Sequence, residues 1–210
     1  MQGLQVLELK KRLIIAPLVI PQAIHCGFAV KDETGLDILY AGDVCLNPFS
    51  GLFSYRMIDQ NLNLVMKMKE HRPNKVSALL NPYITIKALG RTLGWLMSVN
   101  GTRNKVIFRI YDKCGYHTFT YIEKTQKLFY IIHDKKKLLQ KSPYTSDKRL
   151  LGRNVEVKDI ALDWCEGDDL LLDFPLEMGG EHRALFLSIG VMLIRNRSRE
   201  NSESEDNWEC

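Results

Sequence analysis

The sequence lacks any apolar run long enough to cross a membrane as a single helix. Its longest uncharged apolar run near either end is Ala184–Ile194, which is eleven residues long and lies between Arg183 and Arg195. At about 1.5 Å per residue this run covers about half of a hydrocarbon core, which needs about 20 residues. A helix that is apolar on almost every side is buried, so the run predicts a core helix inside a closed β-structure. Periodicity alone leaves a further strand open as the alternative.

The sequence also has few cysteines and no clear targeting segment. The five cysteines are odd in number and irregularly spaced, which excludes a small disulfide scaffold and favours a reducing compartment. The apolar stretch Leu13–Ile20 follows a basic triplet, but it is short and contains Pro17, so it predicts a strand rather than a cleaved leader. With 210 residues, 45% of them hydrophobic and 26% charged, the chain is expected to form one domain.

Motifs for catalysis are absent from the sequence. It contains no nucleophile elbow, no phosphate-binding glycine loop and no His-Glu-x-x-His motif. Cys114 and His117 have zinc-like spacing, but no second pair completes four ligands. We therefore expect neither a hydrolase nor a metalloenzyme.

Positive charge is concentrated in the body of the chain. The net charge is +4, but residues 196–210 carry −3, which leaves +7 on the rest. Residues 1–195 are expected to form the domain and residues 196–210 a disordered acidic tail. The densest basic stretch, Glu123–Arg153, includes Lys135, Lys136 and Lys137. These lysines predict an anionic partner, either a lipid surface or a nucleic acid.

A recurring hairpin phrase predicts a mainly β fold. Aromatic residues Phe28, Tyr55, Tyr83 and Phe108 recur at spacings of 27, 28 and 25, each followed by turn residues and a strand-like run. Asp and Gly favour the first and fourth positions of such turns, and Asn100-Gly101 predicts another tight turn. At least ten short strands indicate an antiparallel barrel or sandwich. The candidate strands that follow the phrases and lie beyond them are Ile38–Ala41, Leu64–Met68, Leu93–Val99, Tyr116–Ile122, Leu128–His133, Asn154–Leu162 and Leu170–Phe174.

An acidic segment precedes the apolar run. Glu166, Asp168 and Glu177 stand at relative positions 1, 3 and 12, as in a loose calcium loop. Leu170 and Leu172 occupy two further ligand positions, and their side chains cannot coordinate a cation. The residues alone therefore favour a solvated acidic turn and leave a calcium site as the alternative.

The order of these elements resembles the phospholipid scramblase family, whose domain is similar to the Tubby C-terminal fold. The resemblance runs from about residue 3 to 195 and rests on several phrases in sequence. These are Gly3-Leu4, Phe28-Ala-Val-Lys-Asp32, Tyr55-Arg-Met-Ile-Asp59 with Arg72-Pro73, Leu93-Gly94-Trp95, and the segment Asp169–Glu177 before the apolar run.

The resemblance implies a fold, an activity and a set of site residues. The fold is a closed antiparallel barrel of about 12 strands around the buried C-terminal helix. The activity is calcium-stimulated, ATP-independent movement of phospholipids between leaflets, at the cytoplasmic face of the plasma membrane. Glu166, Asp168 and Glu177 would hold the calcium ion, and Cys45 would carry an acyl chain. The family's palmitoylated cysteine cluster has no counterpart here, because the connector Glu70–Tyr83 contains no cysteine.

A binding module without transport activity is the alternative. On this hypothesis a Tubby-like barrel presents Lys135, Lys136 and Lys137 to phosphoinositides or to nucleic acid, with a cytosolic or nuclear pool. Protein partners are not indicated by the sequence.

Overall fold

The computed structural model describes residues 4–8, 10–18, 27–43, 54–71, 83–101, 105–122, 127–132, 153–156, 161–165, 167–174 and 178–205. Within them, a short helix α1 and a long helix α2 flank thirteen strands. The elements are α1 (Gln5–Glu8), β1 (Arg12–Leu18), β2 (Gly27–Asp32), β3 (Asp37–Asp43), β4 (Ser54–Asp59), β5 (Leu64–His71), β6 (Tyr83–Ala88), β7 (Arg91–Gly101), β8 (Lys105–Asp112), β9 (His117–Ile122), β10 (Lys127–Ile132), β11 (Arg153–Glu156), β12 (Ala161–Trp164), β13 (Leu170–Asp173) and α2 (Gly180–Glu205).

The strands form one antiparallel sheet in which most neighbours are consecutive in the chain. The order runs from β11 through β10 and onward down to β1, then to β13 and finally β12. The predicted mainly β antiparallel fold with a C-terminal helix is therefore confirmed. Six of the seven candidate strands correspond to strands within a few residues, but the prediction of a single strand over Asn154–Leu162 is wrong. It divides into β11 and β12, which lie at opposite ends of the sheet order.

One predicted turn lies elsewhere. Asn100 and Gly101 belong to β7, where they pair with Val106 and Lys105 of β8. The dipeptide is therefore part of the strand, and residues 102–104 after it lie outside the described residues. Hydrogen-bonded pairing with β8 continues through Asn100 and Gly101. This pairing outweighs the preference of the Asn-Gly dipeptide for a turn.

Three hairpin turns share one construction. Each starts with an aspartate whose carboxylate accepts hydrogen bonds from the backbone N–H groups two and four residues later, at 2.9 to 3.1 Å. The fourth residue has a positive φ in each case. This is why the sequence repeats Asp and Gly there, since aspartate mimics a backbone turn and glycine adopts positive φ without strain. The aspartates are Asp32, Asp59 and Asp112, and the fourth residues are Gly35, Leu62 and Gly115.

Four hairpins whose turns lie at the same end of the sheet each contain a β-bulge. The register shifts at Val30/Lys31, Met57/Ile58, Ile86/Lys87 and Ile110/Tyr111, close to the turn in each case. A bulge bends its strand and increases the local twist. Local bending and twist are therefore expected at equivalent places in these four hairpins.

Contacts of α2 show that the sheet curls around the helix. The ring of Phe186 lies 4.6 Å from that of Phe119 in β9 and 6.4 Å from that of Phe174, which follows β13. In the sheet order β9 and β13 are nine strand spacings apart, which would be about 43 Å in a flat sheet. One side chain can contact both sides only if the sheet is strongly curved.

The apolar run is buried inside this curve. All residues from Arg183 to Arg195 are buried, which confirms the predicted core helix. A Cβ added at Gly190 would lie 2.5 Å from Cδ1 of Ile15 in β1 and 3.3 Å from methyl groups of Leu170 and Leu172 in β13. The helix therefore approaches these two strands closely at a position where it has no side chain.

The helix is longer than the sequence predicted. It continues to Glu205, whereas the prediction ends the ordered domain at residue 195 and makes residues 196–210 disordered. Arg197 gives the physical reason for the first extra turn, because it contacts the β12–β13 turn as described below. Residues 206–210 lie outside the described residues. None of the helices in the described ranges combines the length and the apolar character needed to cross a membrane.

Candidate functional site

The turn between β12 and β13 holds the described part of the predicted calcium site. Asp168 lies there on the surface, after Gly167, whose φ is +84°. The turn is closed by a hydrogen bond from the backbone N–H of Cys165 to the carbonyl of Asp169, at 2.9 Å. Glu166 and Glu177, the other two predicted ligands, lie outside the described residues.

Arg197 of α2 occupies the space beside Asp168. Its Nε lies 2.9 Å from Oδ1 of Asp168, and its Nη2 lies 3.5 Å from the carbonyl oxygen of Gly167. The guanidinium carbon is 4.3 Å from the ring centroid of Trp164. The arginine thus joins the end of the helix to the strand and turn that carry the predicted ligand.

The described residues do not by themselves fit a calcium ion. Calcium takes six to eight oxygen ligands, whereas this turn offers the Asp168 carboxylate already paired with a cation. Within the part of the chain that the structure describes, no three His, Cys, Asp or Glu side chains form a group that could hold a metal.

The remaining predicted site residues fall in two connections between strands. Lys135, Lys136 and Lys137 lie between β10 and β11, and Cys45 lies between β3 and β4, all outside the described residues. Cys114 is exposed in the β8–β9 turn, and His117 is buried at the start of β9. The imidazole Nε2 of His117 lies 2.9 Å from Oγ1 of Thr120 and 3.0 Å from the carbonyl oxygen of Phe119.

A basic cluster that the sequence reasoning missed lies on the outer face of the sheet. Arg56 of β4 stands opposite Lys67 of β5, and Lys67 stands opposite Lys87 of β6. Their chain neighbours Met66, Met68 and Ile86 are buried, so the three cations face outward. We call Arg56, Lys67 and Lys87 the outer basic row. Lys69 is two residues after Lys67 in β5 and therefore lies on the same face of the sheet.

Like charges directly opposite one another destabilise a sheet, so this row opposes folding. Strand spacings of about 4.8 Å place the backbones of these three residues within about 10 Å of one another. The pKa of the nearby His71 is lowered, chiefly by burial and then by the positive charges of Lys69 and Lys87. A signal for this row existed in the sequence, as alternate lysines on β5, but their register with β4 and β6 could not be read from it.

Two buried charged side chains, Asp32 and Arg183, have structural roles. The Lys10 ammonium lies 2.6 Å from Asp32 and, with the Thr34 hydroxyl, holds the pKa of that carboxyl well below its usual range. Arg183, fully buried at the start of α2, donates hydrogen bonds to the carbonyls of Met178, Leu7 and Lys10. These contacts fix α1 and the start of β1 against α2.

Comparison with known proteins returned no relative. No family model, no curated protein and no solved structure matches the chain.

Proposed function

We propose that the chain is a scramblase-like, lipid-interacting protein that acts on phospholipids at the cytoplasmic face of the plasma membrane. The observation that carries the proposal is the enclosure of the apolar run 184–194 by a curled antiparallel sheet. This arrangement agrees with what the resemblance to the phospholipid scramblase family implies. The ordered phrases supply the rest of the support, since the phrases Phe28–Asp32 and Tyr55–Asp59 end in the aspartate-led turns that follow β2 and β4.

A closed Tubby-like barrel is part of the proposal. The curl of the sheet supports it, because Phe186 contacts residues from β9 and from the segment after β13. Closure would bring β11 and β12, the two ends of the sheet order, next to each other.

The enclosed helix determines where lipid can be handled. The interior between sheet and helix is filled by apolar side chains of α2, including Phe186, Leu187 and Ile189. A charged headgroup would be desolvated there at a cost of several kcal/mol. Lipid would therefore be bound and moved along the outside of the protein, next to the bilayer, rather than through its core.

Calcium stimulation rests on the resemblance alone. In the proposed site Glu166 and Glu177 would add to Asp168, and the ion would supply charge that joins the turn to anionic headgroups. For Asp168 to ligate a cation, its pairing with Arg197 has to be released. No other step of the proposal depends on the ion.

The remaining parts of the proposal concern attachment. Acylation of Cys45 would supply one anchor, and a single acyl chain binds a membrane only marginally, so a basic surface is needed as a second signal. The partner is an anionic phospholipid surface, and the chain is proposed to act as a lipid translocator or binding protein rather than as a hydrolase or metalloenzyme.

Reconstitution in vesicles tests the activity. The protein is placed in vesicles that contain a fluorescent phospholipid, and transbilayer movement is measured with and without calcium. We expect movement without ATP, faster with calcium. No movement above that of empty vesicles would overturn the proposal.

Matched carboxylate variants test the calcium site in the same assay. Asp168→Asn should remove most of the calcium response, whereas Asp163→Asn, an exposed carboxylate of β12 outside the predicted ligand set, should keep it. Equal responses in both variants would exclude Asp168 as a ligand.

A lipid- or nucleic-acid-binding module without transport is the second candidate, and the filled interior favours it. The proposed surface includes Lys135, Lys136 and Lys137. Sedimentation with phosphoinositide vesicles and a DNA shift assay separate the two ligands, both with steep salt dependence. Replacing the three lysines with glutamate should abolish binding, and unchanged binding would remove these lysines from the surface.

A further inference from the structure

Exposed leucines are concentrated at one end of the sheet. Five large apolar side chains are exposed among the described residues, and four of them lie on hairpins: Leu36 at 56%, Leu62 at 76%, Leu64 at 51% and Leu89 at 48%. The β2–β3, β4–β5 and β6–β7 turns that carry them are alternate connections of an antiparallel meander. Alternate connections lie at the same end of the strands, so the four leucines form one edge, which we call the leucine rim.

Two rim leucines are held in an unfavourable backbone conformation. Leu62 has φ +64° and Leu89 has φ +51°, and they are the only non-glycine residues with positive φ among those described. A leucine is disfavoured in this region, where Asn or Gly would be tolerated. The hairpin phrase itself has Gly at the position of Leu62 in two other turns. Two strained, exposed leucines at the same edge indicate a requirement for apolar tips that the fold does not impose.

The outer basic row lies directly behind this rim. Lys87 is two residues from Leu89 along β6 and its turn, and Lys67 is three residues from Leu64 along β5. At about 3.4 Å per strand residue, the Cα atoms of these lysines lie about 7 to 10 Å from those of the leucines. Neighbouring hairpin tips are two strands apart, about 10 Å, so the edge spans about 20 Å.

We propose that the leucine rim and the outer basic row together dock onto the surface of an anionic bilayer. The leucines enter the boundary between headgroups and acyl chains, and the cations contact lipid phosphates. Apolar tips next to cations match such a surface, where an apolar layer lies beneath a negatively charged one. A nucleic acid would use the cations but offers nothing to apolar tips at this spacing.

The orientation leaves the helix out of the membrane contact. The rim lies at the end of the sheet where α2 begins, since Arg91, next to the β6–β7 turn, forms an ion pair with Glu181 at 2.6 Å. Arg197 and the Asp168 turn lie at the opposite end, with Leu18, the fifth exposed leucine, at the end of β1. The inference rests on the proposed function in taking a phospholipid surface as the partner.

Vesicle sedimentation with two leucine variants tests the rim. The probe is vesicles of phosphatidylcholine with a minority of phosphatidylserine. In Leu62→Asn/Leu89→Asn both side chains become polar, and both new residues tolerate positive φ, so the melting temperature should not fall. We expect binding to weaken at least tenfold. The control Leu18→Asn should bind like the unchanged protein.

Charge variants test the basic row in the same assay. Removing each cation, as Arg56→Gln, Lys67→Gln or Lys87→Gln, should weaken binding by about fivefold, and added salt should weaken binding of the unchanged protein. Binding by the leucine variant equal to that of the unchanged protein would overturn the inference. A second result would also overturn it: the charge variants lose vesicle binding, the leucine variant keeps it, and the unchanged protein binds duplex DNA tightly. The face would then bind a nucleic acid.

The experiments distinguish failure of the proposed lipid translocation from failure of the proposed docking surface. Vesicle binding that depends on the rim, without any lipid movement in the reconstitution assay, overturns the translocation function and supports the docking surface. Lipid movement that is unaffected by the rim variants overturns the docking surface alone.

Discussion

At the scale of the residue, the same turn geometry is met by different side chains. Gly35 and Gly115 adopt positive φ at the fourth position of their turns, as expected for glycine, whereas Leu62 does so at the cost of contact between its Cβ and the backbone. The aspartate identifies the turn from the sequence alone. No local signal in the sequence predicts that a leucine adopts a positive φ there.

Substitutions at the fourth turn position should move stability in opposite directions. Leu62→Gly relieves the strained conformation and should raise the free energy of unfolding by about 0.5 to 1 kcal/mol. Gly115→Ala introduces the same strain and should lower the free energy of unfolding by about 1 kcal/mol. Gly42→Ala, where a Cβ has open space, is the control and should change it little. Denaturant unfolding measures all three, and a loss of stability in Leu62→Gly would refute the assignment of strain.

The charge around His71 is measurable by titration. Burial is the main cause of its lowered pKa, and Lys69 and Lys87 add to it. Lys69→Gln should therefore raise the pKa of His71 while leaving it below about 6.5, the ordinary value. Lys113→Gln, in the β8–β9 turn, should not change it. NMR titration checks both, and an unshifted pKa in Lys69→Gln would show that the cation does not act on this face.

The same shift gives a pH dependence of stability with a definite sign. The unfolded chain binds a proton at His71 more readily than the folded chain. The contribution of this residue to stability is therefore lost as the pH falls from about 7 through 6.5 and then through the lower folded pKa.

At the scale of the element, the start of α2 is fixed by a buried cation. Arg183 donates to the carbonyls of Leu7 and Lys10, which lie at the end of α1 and before β1. In the sequence Arg183 only marked the boundary of the apolar run. Its burial could not be predicted, because the carbonyl groups that satisfy it lie more than 170 residues earlier in the chain.

Removing this cation should have a large effect on stability. Arg183→Met leaves buried carbonyl groups without their donors and should lower the free energy of unfolding by about 3 kcal/mol. Arg91→Met breaks the exposed ion pair with Glu181 at the same end of the helix and should cost at most about 1 kcal/mol. Thermal or denaturant unfolding compares the two, and equal losses would contradict a special role for the buried arginine.

The sequence predicted the positions of strands and helix in the chain better than it predicted which strands pair. Apolar alternation and turn residues are local, so they located the hairpins and the buried helix. The division of 154–162 between β11 and β12 depends on pairing with β10 and β13, which is not local. The outer basic row depends on strand register in the same way. The contact of Arg197 with Asp168 joins residues 29 positions apart in the chain and gave no local signal.

Across the whole molecule, the buried helix and the proposed membrane-binding surface are separated. The apolar run 184–194, which is too short to cross a membrane as a helix, is enclosed by the sheet. The proposed lipid surface lies on the outside, where the leucine rim meets the outer basic row. On this proposal the protein binds a bilayer without unfolding, because the buried helix does not have to leave the interior.

Hydrogen exchange with and without anionic vesicles shows whether the hairpin turns meet the bilayer while the helix stays enclosed. We expect slower exchange on adding vesicles at the β2–β3, β4–β5 and β6–β7 turns, with residues 184–194 of α2 equally protected in both conditions. Faster exchange in α2 together with unprotected turns would contradict docking through the turns, because the helix would then leave the sheet and enter the bilayer.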